Sequence, residues 1–305
     1  MRTAFIQELT LQARTHPDIF LVVGDLGFSV VEPFAAEFPE RFLNAGVAEQ
    51  NMTGVAAGLA SEGYHVFTYS IANFPTLRCL EQIRNDICYH NLPVTVVAVG
   101  GGLAYGSLGY SHHALQDLGI MRMLPNMTVM APGDPGETRE CLRWILSHPG
   151  PAYLRLGKAG EKEIHATTPG VNHPICVQRR GDRYAIVSTG GALEIATEAA
   201  AQLADIGIDA TVYSFPCLAP LPDEDFKILE RFSTVITVEE HVEEGGLGML
   251  VQSRLRAATA VIPFSVSKSC ASEVGSHAAL RKASGIDAAR LAQHIASIES
   301  TRRSP

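Results

Sequence analysis

Residues 65–100 read HVFTYSIANFPTLRCLEQIRNDICYHNLPVTVVAVG and contain two strands with a helix between them. HVFTYS and PVTVVAVG are short and rich in β-branched and aromatic residues, whereas TLRCLEQIRNDICYH spaces its apolar side chains three and four apart. A strand that is apolar on both faces needs cover on both. Strands of this kind joined through helices form a parallel sheet between helical layers. The alternation repeats outward. IFLVVGD (19–25), MTVMAPGD (127–134) and PAYLRL (151–156) are predicted strands, and AEQNMTGVAAGLASEG (48–63) and PGETRECLRWILSH (135–148) predicted helices. Between Gly157 and Arg183 the rhythm stops in a mixture of Gly, Pro, His and charge, which marks a connection. It then resumes with strands YAIVSTGG, ATVYSFP and TVITVEEH and helices ALEIATEAAAQLADIG, LGMLVQSRLRAA and DAARLAQHIASIES. The expected fold is α/β: two doubly wound domains with mostly parallel sheets, residues 1–160 and 184–305, joined by a linker at 161–183.

Bulk properties narrow the function. A chain of 305 residues suits two domains, because single cores stop growing near roughly 250–300 residues. A formal charge of -8 leaves no basic footprint, so nucleic acid is not an expected partner. No apolar run approaches the roughly 18 residues that would span a bilayer, and the N-terminus reads as an amphipathic helix containing Glu8. A cytoplasmic location with no membrane partner is the default. The six cysteines, at positions 79, 88, 141, 176, 217 and 270, form no C-x-x-C pair, which points to reduced thiols and no zinc site.

One carboxylate stands out. RFLNAGVAEQNMTGVAAGLA (41–60) places Glu49 at the mouth of a helix of small and apolar residues, where desolvation makes its charge costly. By itself this is a helix N-terminal acid favoured by the macrodipole. Its surroundings say more: GVAEQNMTGVAAGLA, CLEQIRNDICYHNLPV, YSHHALQDLGIMRMLPNMTVMAPGDPGE and PAYLRLGK, in this order and spacing, make the chain resemble the transketolase family of thiamine diphosphate enzymes. The match is to the pyrimidine-binding and C-terminal domains that form the second half of a full-length member.

The resemblance implies roles residue by residue. Glu49 would hydrogen-bond N1′ of the cofactor's aminopyrimidine, and an apolar setting helps a carboxyl share a proton with a ring nitrogen. The carbanion chemistry itself belongs to the cofactor. Phe74 would stack on the pyrimidine ring, with Ile71 standing where relatives often have another aromatic, and Arg78 and Asp25 would lie beside the cofactor. His112 is the implied catalytic and substrate-facing histidine, and Ser107 and His113 join it on the substrate side. Arg155 and Lys158 align with basic residues near a substrate phosphate or carboxylate.

The loop GGGLAYGSLGYSHHALQDLG (100–119) departs from the family in two places. Leu108 replaces an aspartate that binds a donor hydroxyl, and Gly100 replaces a histidine that contacts donor phosphate. Such losses change substrate preference more than they touch the cofactor.

Half of a thiamine site is missing. The diphosphate needs Mg2+, which relatives hold with a G-D-G motif and a distant asparagine. GDLGFS with Asn44 lacks the second glycine and precedes Glu49 at the spacing of a pyrimidine domain, so it is set aside and no metal ligand is expected here. A second subunit carrying the G-D-G unit is the implied partner, in an alpha2beta2 hetero-oligomer. Four acids in EEHVEEGGLGMLV (Glu239, Glu240, Glu243, Glu244) read as a solvated turn. The expected reaction is transfer of a two-carbon ketol unit from a ketose or its phosphate to an aldose. One competing reading is a 2-oxo acid decarboxylating enzyme of the deoxyxylulose phosphate synthase or E1 beta type. Another is a non-catalytic scaffold subunit that would not need Glu49.

Overall fold

The computed structural model describes residues 1–165, 170–256 and 258–303, without the side chains of Cys270, Ala271 and Arg303. The first sheet contains β1 (Ile19–Val23), β2 (Phe42–Asn44), β3 (His65–Ile71), β4 (Val94–Val99), β5 (Thr128–Met130), β6 (Ala152–Leu156) and β10 (Cys217–Ala219). The second contains β7 (Ile175–Gln178), β8 (Tyr184–Ser188), β9 (Ala210–Ser214), β11 (Thr234–Val242) and β12 (Ala260–Val266). Their orders are β10-β5-β6-β4-β3-β1-β2 and β12-β11-β8-β9-β7. All neighbours run parallel except β10 beside β5 and β7 beside β9. The architecture is the expected α/β pair of mostly parallel sheets.

Burial explains the near-continuous apolar strands. Every residue of β4, β6, β8 and β9 is buried, because helices cover both faces. One apolar cluster runs from Met52, Ala56 and Val96 in the first unit to Val187, Phe215, Phe226 and Leu250 in the second. The two units therefore share a core.

Two local differences from the sequence reading are informative. The expected helix at 76–90 is one turn of 3-10 helix (Leu77–Cys79), a short α turn (Leu80–Gln82) and a π-helical turn (Ile83–Cys88). Wider i→i+5 winding brings residues four and five apart onto one face, and Ile83, Ile87 and Cys88 all point inward with no exposure. The expected linker is partly structured, since β7 lies inside it and hydrogen-bonds to β9.

The start of that linker is clipped to the first unit. Asp134 caps the helix Pro135–Ser147, its Oδ1 accepting from the Glu137 amide at 2.7 Å and its Oδ2 from the amides of Ile164 and His165 at 2.8 and 2.9 Å. Glu137 accepts from the Gly133 amide, and its other oxygen faces His165 Nε2 at 2.7 Å. Burial pulls the His165 pKa down, but the hydrogen bond and charge of Glu137 outweigh it, and the net direction is upward. A histidine raised on folding contributes stability that is complete below its unfolded pKa near 6.5 and fades as pH rises through the folded value. His165→Ala is therefore expected to cost on the order of 1–3 kcal/mol near pH 6 and measurably less near pH 9. Urea midpoints of both proteins across that range check this; a pH-independent difference would exclude the linkage.

Candidate active site

The first sheet reverses direction of growth at β1, with β2 on one side and β3 on the other, and the chain crosses between them through the helix Glu49–Ser61. Crevices at such switch points, outside the carboxyl ends of the strands, are where open α/β sheets hold ligands. Gly24 and Asp25 leave β1 here, Ile71 and Phe74 leave β3, and the loop from Gly100 to His113 leaves β4.

Glu49 opens the helix with no side-chain cap from Ala48 and is 1% exposed. Small residues behind it, Ala56, Ala57 and Ala60, let the helix sit close on the sheet, while the left-handed Gly46 turns the chain into it. Its Oε2 accepts a hydrogen bond from Arg78 Nη1 at 2.6 Å. The same guanidinium lies over the Phe74 ring, 4.9 Å from its centroid. The other edge of the cluster is His112, whose ring meets Phe74 at 5.0 Å edge-on and Tyr105 at 6.3 Å. His112 Nδ1 is 3.0 Å from Ser111 Oγ, and Asn73 Nδ2 donates to the Ser111 carbonyl at 2.9 Å, so the histidine is positioned from both sides. Burial first, and the neighbouring His113 second, hold the His112 pKa below its ordinary value. It is a neutral imidazole at neutral pH.

The remaining expected residues divide. Ile71 ends β3, half-buried, and its carbonyl accepts the Phe74 amide. Ser107 is exposed on a 3-10 turn in the loop, and His113 is buried beneath it. Lys158 extends from the end of β6 over the Tyr105 ring at 4.8 Å, facing the cluster's open side. Asp25 is exposed with φ 56° and exchanges hydrogen bonds with Asn44: Asn44 Nδ2 donates to its carboxylate at 3.0 Å and its amide donates to Asn44 Oδ1 at 3.1 Å.

Arg155 is a correction. It is 7% exposed, and its guanidinium donates to the carbonyls of Ala114 and Glu240 at 2.9 and 2.7 Å while its Nε faces Asp117 at 3.3 Å. Those groups come from both units, so Arg155 joins domains instead of offering a free cation to a substrate. Glu239 and Glu240 are corrections too. Glu239 accepts from the amides of Leu247 and Gly248 and caps the helix Leu247–Arg254. Glu240 accepts from the Leu103 amide, His277 Nε2 at 2.8 Å and Arg281 Nε at 2.6 Å. Both are buried, because the last third of the chain folds over them. Glu243 and Glu244 are solvated, as expected.

Tyr105 was not singled out by the sequence reading. The signal was there: an aromatic amid four glycines. A Cβ at Gly100, where φ is +77°, would lie 2.1 Å from the Tyr105 ring. The ring fills the space a side chain at 100 would need, which accounts physically for the glycine there.

The donor set matches one end of the expected cofactor. A buried carboxylate acceptor and an aromatic face suit an aminopyrimidine, and Ser70 Oγ, buried without a partner, lies close to both Gly24 and the Glu49 side chain. Among the described residues no group of three or more His, Cys, Asp or Glu could hold a metal ion.

Comparison with known proteins bears on the same point. Residues 1–160 match the family profile "Transketolase, pyrimidine binding domain" and residues 175–291 match "Transketolase, C-terminal domain". One of the subunits of the apulose-4-phosphate transketolase of Actinobacillus succinogenes is 35% identical over 280 residues, 89% of each chain. The 1-deoxy-D-xylulose-5-phosphate synthase 1 of Geobacter sulfurreducens is 38% identical over 225 residues, which is 72% of this chain and 34% of its own. A solved structure described as "Split gene transketolase, inactive beta4 tetramer" has a TM-score of 0.86 at 34% identity, covering 97% of this chain and 96% of that one.

Proposed function

The chain belongs to the transketolase family, and on that footing we propose that it is the pyrimidine-side subunit of a two-subunit thiamine diphosphate enzyme moving a two-carbon ketol unit from a ketose, or its phosphate, to an aldose. The observation that carries this reading is the fully buried carboxylate of Glu49 at the sheet's switch point, with Phe74 and His112 beside it. Thiamine diphosphate, when bound, supplies the nucleophilic carbon for such a transfer. Glu49 would meet the aminopyrimidine and hold a proton at its ring nitrogen; Phe74 would offer the stacking face. His112, with Nδ1 engaged by Ser111, would present Nε2 to the substrate as donor or acceptor. Lys158 would draw an anionic substrate group to the open side. Mg2+ and the diphosphate would be gripped by a second polypeptide that contains the G-D-G unit.

Two observations support the partner. One is the absence of a ligand set for a metal among the described residues. The other is the relative whose beta4 tetramer is described as inactive. Calorimetric titration of the isolated chain is expected to show little thiamine diphosphate binding and no turnover, and adding the G-D-G polypeptide should restore both. Equal affinity with and without that polypeptide would sink the split-site reading.

A second donor class has a specific observation behind it. Leu108 is 54% exposed at the place where transketolases carry a hydroxyl-binding acid, and a deoxyxylulose phosphate synthase is among the relatives. The reconstituted pair, assayed with a ketose donor and with pyruvate, decides between them. Ketol transfer without carbon dioxide release is expected; release from pyruvate reverses the assignment.

A further inference from the structure

Resting on the reading that Glu49 receives the aminopyrimidine, we propose that Arg78 is a built-in placeholder for that ring, occupying its seat in the cofactor-free chain and leaving it when the cofactor enters. A guanidinium is planar, carries N–H donors along its edge and stacks on aromatic faces. An aminopyrimidine shares those three properties. Arg78 uses them all at once in this structure: Nη1 donates to Glu49 Oε2 at 2.6 Å, and the carbon of the guanidinium lies 4.9 Å over the Phe74 centroid. The acceptor and the ring face that suit the cofactor are thus both covered by one side chain.

The asymmetry of burial shows which partner can leave. Glu49 is 1% exposed and fixed at the head of a helix, whereas the Arg78 side chain is 46% exposed on a single 3-10 turn. An arginine on such a turn can swing into water at little cost, its stem remaining along the surface. A carboxylate left alone in that pocket would be expensive, which gives the empty chain a physical reason to keep the guanidinium in place. Cofactor entry then exchanges one planar donor for another. The apparent affinity is lowered by the fraction of molecules in which the seat is taken.

Four versions of the reconstituted two-subunit complex, titrated calorimetrically with thiamine diphosphate, test this: wild type, Arg78→Met, Arg78→Lys and Glu49→Gln. Methionine keeps the apolar stem and removes both the donors and the planar cation. Arg78→Met is expected to bind the cofactor more tightly, by about tenfold if the guanidinium holds the seat in about nine molecules of ten. The same substitution should lower the melting temperature of the isolated, cofactor-free chain. Arg78→Lys, which can pair with Glu49 but cannot stack as a plane, should fall between and remains informative should the methionine variant misfold. Unchanged or weaker binding in both Arg78 variants, with Glu49→Gln still weakening it, overturns the placeholder and leaves Arg78 as a direct cofactor contact or a bystander. If Glu49→Gln also leaves affinity unchanged, the pyrimidine assignment itself has failed.

Discussion

Glu49→Gln in the reconstituted complex is expected to reduce turnover about 10²- to 10⁴-fold, the range over which a positioned proton-transfer group contributes. Glutamine keeps the side chain's length and volume, so the helix Glu49–Ser61 should be undisturbed. It cannot, however, share a proton with a ring nitrogen as a carboxyl does. Removing the buried charge relieves a desolvation cost, and Arg78, half in water, can be solvated instead, so the chain's stability should change little or rise. A large fall in rate with no fall in melting temperature is the signature to look for. Turnover within threefold of wild type would favour a non-catalytic role for the chain.

Glu240→Ala is expected to be the most damaging substitution for stability, at about 3 kcal/mol, the lower end of the range for breaking a buried charge pair because Arg281 keeps some solvent. Glu240 sits at the end of β11 in the second unit, yet it accepts from the Leu103 amide in the first unit's loop, and its backbone carbonyl accepts from Arg155. The effect should therefore reach the loop that carries His112. Burial alone would push the Glu240 carboxyl upward; the charges of Arg281 and His277 outweigh this and hold it well below the usual carboxylate range. A depressed acid contributes stability that is present above its unfolded pKa near 4.5 and is lost as pH falls toward the folded value. Differential scanning calorimetry at pH 7 should show a drop of several degrees, and the wild-type advantage should shrink on acidification. A drop below one degree would mean that the pair does not hold the units together.

The parts of this molecule that were legible in its sequence are those decided locally. β-branched runs flanked by helical spacing identified β1, β3, β4, β6, β8, β9 and β11, since buried parallel strands have no polar alternation to obscure them. The strands that escaped notice are short, edge or polar: β2 is three residues and half in water, β7 lies in the polar linker, and β12 is only partly buried and includes Pro263. The candidate site follows the same rule. Glu49, Phe74, Arg78 and His112, identified from motif order, come together in space, though their roles are the proposal made above. Arg155 and Glu240 were misread because their partners lie 41 to 85 residues away in the chain, and nothing in YLRLGK or EEHVEE reports those partners.

β10 has an architectural consequence. It belongs to the polypeptide beyond the linker, yet it pairs antiparallel with β5 at the border of the first sheet. A fragment trimmed at the connection near residue 165 would strip that border, leaving the amides and carbonyls of Thr128–Met130 as an open seam for foreign strands. The modular boundary visible in the order of residues is thus not a place where the molecule can be cut.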